Sequence, residues 1–217
     1  MGGIDQAMKT KLQNKILCLT MCLLILLANI HAVKCLAILN EYADRIFVCY
    51  PKDGASASAL GQLQENDKGE RFSEAALWKS AGEVKVSAEN TGRGKKAGLY
   101  QIQGQPGAVF GNGCVCGRYF TEEESAACML DQGLARELFG SEKVSGMEVE
   151  ANGKIYQVTG ILKGNLSVCA VPAGENTGFD GAAVRKQKAA QSSAQAFSLV
   201  ETVLGSTDGQ KVDGQLY

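Results

Sequence analysis

Chemistry needs groups that take protons, attack, or hold metals, and this chain is sparing with them. Its single histidine, His31, stands at the end of an apolar run, where it reads as an interfacial residue rather than a proton relay. Its eight cysteines are Cys18, Cys22, Cys35, Cys49, Cys114, Cys116, Cys128 and Cys169. Zinc sites favour C-x2-4-C pairs with a second pair or histidines beyond, and Cys114-x-Cys116 has neither. Cys18 and Cys22 lie within the apolar run as small hydrophobes, and Cys35 and Cys49 flank its exit. Cys114, Cys116, Cys128 and Cys169 leave a disulfide open in an oxidising compartment, with buried thiols as the reading adopted. Strand alternation points Cys114 and Cys116 the same way, so they do not bond each other. Gly92, Gly94 and Lys95 lack the spacing and the Ser/Thr of a phosphate-cradling loop, and a strand follows them instead of a helix. Glu122, Glu123 and Glu124 are adjacent, so they face different ways and make no acid and base pair. No G-x-S-x-G is present. No nucleophile stands beside a base, and no residue is assigned a catalytic, cofactor-binding or metal-binding role.

The elements that would position any site are densest between Gly117 and Leu162. Thr121 with Glu124 three residues on has the form of a capping box and predicts a short helix from Glu122, with three carboxylates on its positive end. Ala126 to Leu130 is a brief apolar run, by length a buried strand. Asp131 then caps a helix from Gln132 to Phe139, with Leu134, Ala135 and Leu138 on one face and Gly140 at its end. Met147 to Glu150 and Lys154 to Leu162 read as strands joined at Asn152-Gly153, the strongest short hairpin signal in the chain.

In this order, GRYFTEEE, LDQGLARELFG and SGMEVEANGKIYQVTGIL resemble the extracytoplasmic core domain of MacB-type ABC transporter permeases. In that family "G-R-x-F-T-x-x-D/E" precedes "L-x-x-x-x-A-x-x-L-F-G" and a "G-x-x-V/I-x-x-x-G-x-x-F/Y-x-V-x-G-V/I-L" hairpin. The matching positions here are Gly117, Arg118, Phe120, Thr121, Leu130, Ala135, Leu138, Phe139, Gly140, Gly146, Gly153, Tyr156, Val158, Gly160 and Leu162. The resemblance implies that these are fold residues, that ATP is hydrolysed by a separate ABC ATPase subunit, and that a permease partner or self-association is to be expected. It also implies a first membrane helix immediately before the domain. The three later membrane helices of a full permease have no counterpart in this sequence.

The N-terminus carries that expectation independently. Lys9, Lys11 and Lys15 precede an uncharged apolar run from Ile16 to Val33, close to the shortest length that spans a bilayer. A signal peptide has the same basic start and a shorter apolar region. Here the apolar character resumes after Lys34 as CLAIL, and a retained helix in contact with membrane lipid is the reading adopted. The lysines before it, against Lys34 and Arg45 after it, place the N-terminus in the cytoplasm. Cys22 follows Met21, too large for a lipoprotein cleavage site.

The remaining chain is read more coarsely. Residues 41–50 read as a helix end or short strand, and Asp53 to Glu74 as an irregular mobile loop. Glu83 to Ala88 and Gly98 to Gln103 alternate as strands around a basic turn from Asn90 to Lys96. Between Gly104 and Gly117 an apolar AVF lies between glycine turns. Gly164 to Val171 is a further strand, and Gly174 to Gly181 is turn-rich. Arg185 to Gln195 is polar and helix-compatible, and Phe197 to Leu204 has a helical apolar face. A formal net charge of -1 gives nucleic acid nothing to bind.

The expected organisation is an α+β protein: a cytoplasmic tail (1–15), one transmembrane helix (16–37), an extracytoplasmic mixed α/β domain (38–196) and a C-terminal stub (197–217). By resemblance its function is that of a non-catalytic anchored component of an ABC permease, whose outer domain couples membrane-helix motion to transport or partner binding. The alternative is a stand-alone secreted or anchored binding module.

Overall fold

A computed structural model describes residues 17, 19–35, 46–51, 53–111, 113–175, 177–187, 193–205 and 212–213. The chain divides into two units, Met1–Ala43 and Asp44–Tyr217. In the first, residues 19–35 form helix α1, whose large apolar side chains from Leu19 to Val33 are all exposed. Among the described residues no helix is long and apolar enough to cross a membrane. The expected cytoplasmic tail and residues 16, 18, 36 and 37 of the expected span lie outside the described residues.

The second unit is built on a ten-stranded sheet, in the order β10-β1-β9-β2-β3-β8-β5-β7-β4, with β6 bridging β2 and β7. Its strands are β1 (Ile46–Cys49), β2 (Phe72–Ala88), β3 (Arg93–Gly104), β4 (Cys114–Gly117) and β5 (Ala127–Asp131). They continue with β6 (Glu148–Ala151), β7 (Lys154–Leu162), β8 (Val168–Pro172), β9 (Gly181–Lys186) and β10 (Val212–Asp213). The helices are α2 (Ser58–Asp67), α3 (Pro106–Phe110), α4 (Gln132–Phe139) and α5 (Ser193–Leu204).

The pairings β2–β3, β3–β8, β8–β5, β5–β7, β7–β6 and β6–β2 return to their starting strand and close a ring. A closed ring has no free edge and must fill its interior with side chains. Val86, Leu99, Cys128, Leu130, Val149, Val158, Ile161 and Cys169 do so, and α4 adds Leu134, Ala135 and Leu138 to the same core. β2 is long because it serves two structures: its C-terminal half pairs with β6 inside the ring, while Phe72 to Trp78 pair with β9 outside it. There β9 and β1 extend the sheet into an open wing, faced by α2 and α5 over Leu60, Leu63, Leu77 and Val184. The opposite sheet face packs Trp78, Ile102 and Met129 against α3 and Phe120.

Most of the segment from 117 to 162 matches its sequence reading. β5 is buried at every residue, and Asp131 caps α4 by accepting the Leu134 amide at 2.8 Å. Gly140 closes α4 in the left-handed conformation at φ 74°. Asn152 and Gly153 both have positive φ, 52° and 74°, as a type I′ turn demands.

Other expectations fail for identifiable reasons. No helix starts at Glu122: residues 121–126 form successive turns, because β5 begins at Ala127 and leaves no room for one. Glu124 does reach back to the Thr121 amide at 2.9 Å, but the Thr121 hydroxyl donates to the same carboxylate instead of accepting an amide. The loop expected over 53–74 contains α2 and the start of β2. α2 buries only Ala59, Leu60, Leu63 and Asp67 in a polar stretch, so its periodicity is faint. The basic turn is shorter than expected, since Arg93 to Lys96 belong to β3. The AVF of 108–110 is helical in α3, started by Pro106. Arg185 and Lys186 end strand β9 rather than beginning a helix, and residues 188–192 lie outside the described residues. α5 contains the expected face at 197–204.

Candidate functional site

Many of the positions that carried the family resemblance fall in the ring and its seams, while Phe120 and Leu162 pack in the α3-side core. Leu130, Ala135, Leu138 and Val158 line the core, and Phe139 packs against it. Gly117 and Gly160 pair across β4 and β7, where a Cβ at Gly160 would meet the Arg118 carbonyl oxygen and one at Gly117 the Thr159 carbonyl oxygen. Only glycine lets two backbones approach this closely. The apolar residues and glycines among them pack or make room for backbone.

Two carboxylates, Asp131 and Glu124, are held by several partners. Asp131 is fully buried, and its second carboxylate oxygen accepts the Ser167 amide at 2.9 Å. One side chain thus joins the start of α4 to the β7–β8 loop. Burial raises its carboxyl above the usual range, opposed by the backbone amides that donate to it. Glu124 is the reverse: the Arg118 guanidinium and the Thr121 amide hold its carboxyl down to about 2.

On the α3 face, Arg185 lies 3.3 Å from Glu74, and its Nη2 donates to the carbonyls of Gly107 and Gly111 at 2.7 and 3.1 Å. The pair fastens α3 to β2 and β9. A Cβ on Gly107 would lie 2.5 Å from the Glu74 carboxylate, so the glycine makes room for it. Tyr119 is pushed up to about 12, chiefly by burial, with Cys114 and Glu74 adding to the rise and Arg185 opposing it. Neither member of the Glu74–Arg185 pair was visible in the sequence as a partner of the other, because 111 residues separate them.

Cys114 and Cys128 sit where burial disfavours the thiolate. Cys114, Cys116, Cys128 and Cys169 are all free, the latter two buried. Cys114 and Cys116 do not share a face as alternation predicted. A bulge between them turns Cys114 to the α3-side core and Cys116 to the ring core. Burial, then the neighbouring Cys116, pushes the Cys114 thiol up to about 11, and a hydrogen bond with Cys169, then burial, raises Cys128. Thiols raised in this way are poor nucleophiles at neutral pH. Lys95, in the basic stretch, is paired with Glu137 of α4 at 2.8 Å. Among the described residues no cluster of three or more His, Cys, Asp or Glu could hold a metal. An open cavity of about 220 Å³ is lined by Leu63, Asp67, Phe72, Glu74 and Gln105, and another of about 410 Å³ lies against Glu83, Lys85, Glu150 and Asn152.

Comparison with known proteins bears on the fold that holds these residues. A family model described as MacB-like periplasmic core domain matches residues 37–209. Among solved structures, the extracellular domain of the noncanonic ABC-type transporter YknZ from Gram-positive bacteria superposes with a TM-score of 0.57 at 20% identity, covering 74% of this chain and 92% of that one. The periplasmic region of MacB from Actinobacillus actinomycetemcomitans gives 0.56 at 17% identity, covering 76% and 86%. A domain of a putative permease protein from Porphyromonas gingivalis gives 0.53 at 17% identity, covering 74% and 83%. At such identities these structures share the fold. No curated protein matches the chain.

Proposed function

The chain belongs to the MacB-like periplasmic core domain family, and from that membership we propose that it is a non-catalytic, membrane-anchored component of an ABC transporter permease. The observation that carries this is the succession of an apolar helix and a family-matched ring domain in one chain. A helix apolar on every side is stable where hydrocarbon surrounds it. α1 exposes Leu19, Met21, Leu24, Ile25, Leu26 and Leu27 around its circumference, which supports the anchor over residues 16–37. Lys9, Lys11 and Lys15 support a cytoplasmic N-terminus, with unit Asp44–Tyr217 outside.

In this reading the outer domain does no chemistry of its own. It passes movement of the anchor to a substrate or partner outside the membrane, and a separate ABC ATPase supplies the energy. Purification of the full chain from membranes in mild detergent tests this. An ABC ATPase or a multi-helix permease subunit is expected to accompany it. A chain that purifies free of both, at expression levels matching theirs, overturns the transport role in favour of a stand-alone anchored module.

A further inference from the structure

We propose that His31 and Cys35, one turn apart on α1, bind a single soft monovalent metal ion of the copper(I) class. Cys35 Sγ and His31 Nδ1 lie 4.0 Å apart, and both residues are exposed. Four residues along a helix amount to about 6 Å of rise and about 40° of turn, so the two groups share one face. A thiolate sulfur and a neutral imidazole nitrogen both suit a soft ion. Metal bonds of about 2.3 Å to sulfur and about 2.0 Å to nitrogen put two such donors about 3.5 Å apart at a tetrahedral angle and about 4.3 Å apart in line. The observed separation is wider than the tetrahedral case, toward the open angle of a two-coordinate ion.

Donor count and charge select the ion. Zinc in a structural site completes a tetrahedron of four donors, and among the described residues no third His, Cys, Asp or Glu joins these two. Lys34 already places a positive charge beside the pair. A divalent ion on one thiolate would add another, whereas a monovalent ion on one thiolate is neutral. Near hydrocarbon that difference is large, and this part of the argument rests on the anchor reading above. Binding moves one proton from the Cys35 thiol to solvent and forms a sulfur–metal bond in its place, with no change of oxidation state. His31 contributes Nδ1 and keeps its proton on Nε2.

Alkylation of Cys35 tests this in the full chain, reduced and kept from air in mild detergent, where the result does not depend on membrane topology. Cys18→Ser and Cys22→Ser are made first, so that Cys35 is the one cysteine left in unit Met1–Ala43. Copper(I), added as its acetonitrile complex at one ion per chain, is expected to slow maleimide addition at Cys35 about tenfold or more, read by peptide mass. The protection is expected to fall below about twofold in His31→Leu, and with zinc in place of copper(I). An unprotected Cys35, or equal protection in His31→Leu, overturns the site; equal protection by zinc overturns the choice of ion. A chain that binds copper(I) this way but leaves the membrane on alkaline carbonate extraction keeps the site and overturns the anchor reading alone.

Discussion

At the scale of single residues, the molecule depends on a few side chains that join elements far apart in sequence. Asp131 is the clearest. It accepts amides from Leu134 and from Ser167, two segments that no local pattern connects. Asp131→Ala leaves both amides buried without acceptors and is expected to cost on the order of 2–4 kcal/mol, read from denaturant midpoints. Gly160→Ala forces a methyl group into the Arg118 carbonyl and is expected to cost about 1–3 kcal/mol by the same measurement. Thr121→Ala removes only a 3.3 Å contact to Glu124 in an exposed turn, so a change below about 0.5 kcal/mol is expected, less than a true helix cap would give. Glu124 makes a pH prediction. Its folded carboxyl titrates near 2, below the ordinary value of 4.5, so its contribution is fully present above pH 4.5 and fades as the pH falls toward 2. The melting temperatures of wild type and Glu124→Gln are expected to differ at pH 6 and to converge near pH 2.

At the scale of elements, legibility in the sequence followed how far each signal depends on its neighbours. The β6–β7 hairpin was readable because Asn152 and Gly153 need positive φ whatever surrounds them. Replacing both by valine is expected to lower the melting temperature by several degrees, since β-branched residues resist that conformation. α4 was readable because its cap, its apolar face and its terminal glycine agree within ten residues. α2 was not, because its stability comes from packing Leu60 and Leu63 against β2 and α5 rather than from its own polar sequence. The opposed faces of Cys114 and Cys116 were hidden for a related reason: a bulge arises from the partner strand, here β7, and leaves no mark in a three-residue pattern. The Arg185–Glu74 clamp depends on β2 and β9 being neighbours, which only the tertiary fold decides.

At the scale of the whole molecule, unit Asp44–Tyr217 has its own buried core and its own closed ring, and it should fold without the segment before it. Expressed alone, it is expected to unfold in one cooperative step. Trp78, the sole tryptophan and only 5% exposed, should report that step by a red shift of its fluorescence. A ring that melted apart from the wing would show two transitions and contradict this. Cooperativity is expected because β2 belongs to both halves: one backbone of 17 residues leaves the wing as a partner of β9 and enters the ring as a partner of β6. The first and last described strands of this unit, β1 and β10, both lie in the wing. A tension applied to the chain beside either strand therefore enters through the wing and reaches the ring along the covalent spine of β2. Backbone bonds do not slip under load as packed side chains do, so the domain is built less like two bodies in contact than like a lever with its handle and head forged from one bar.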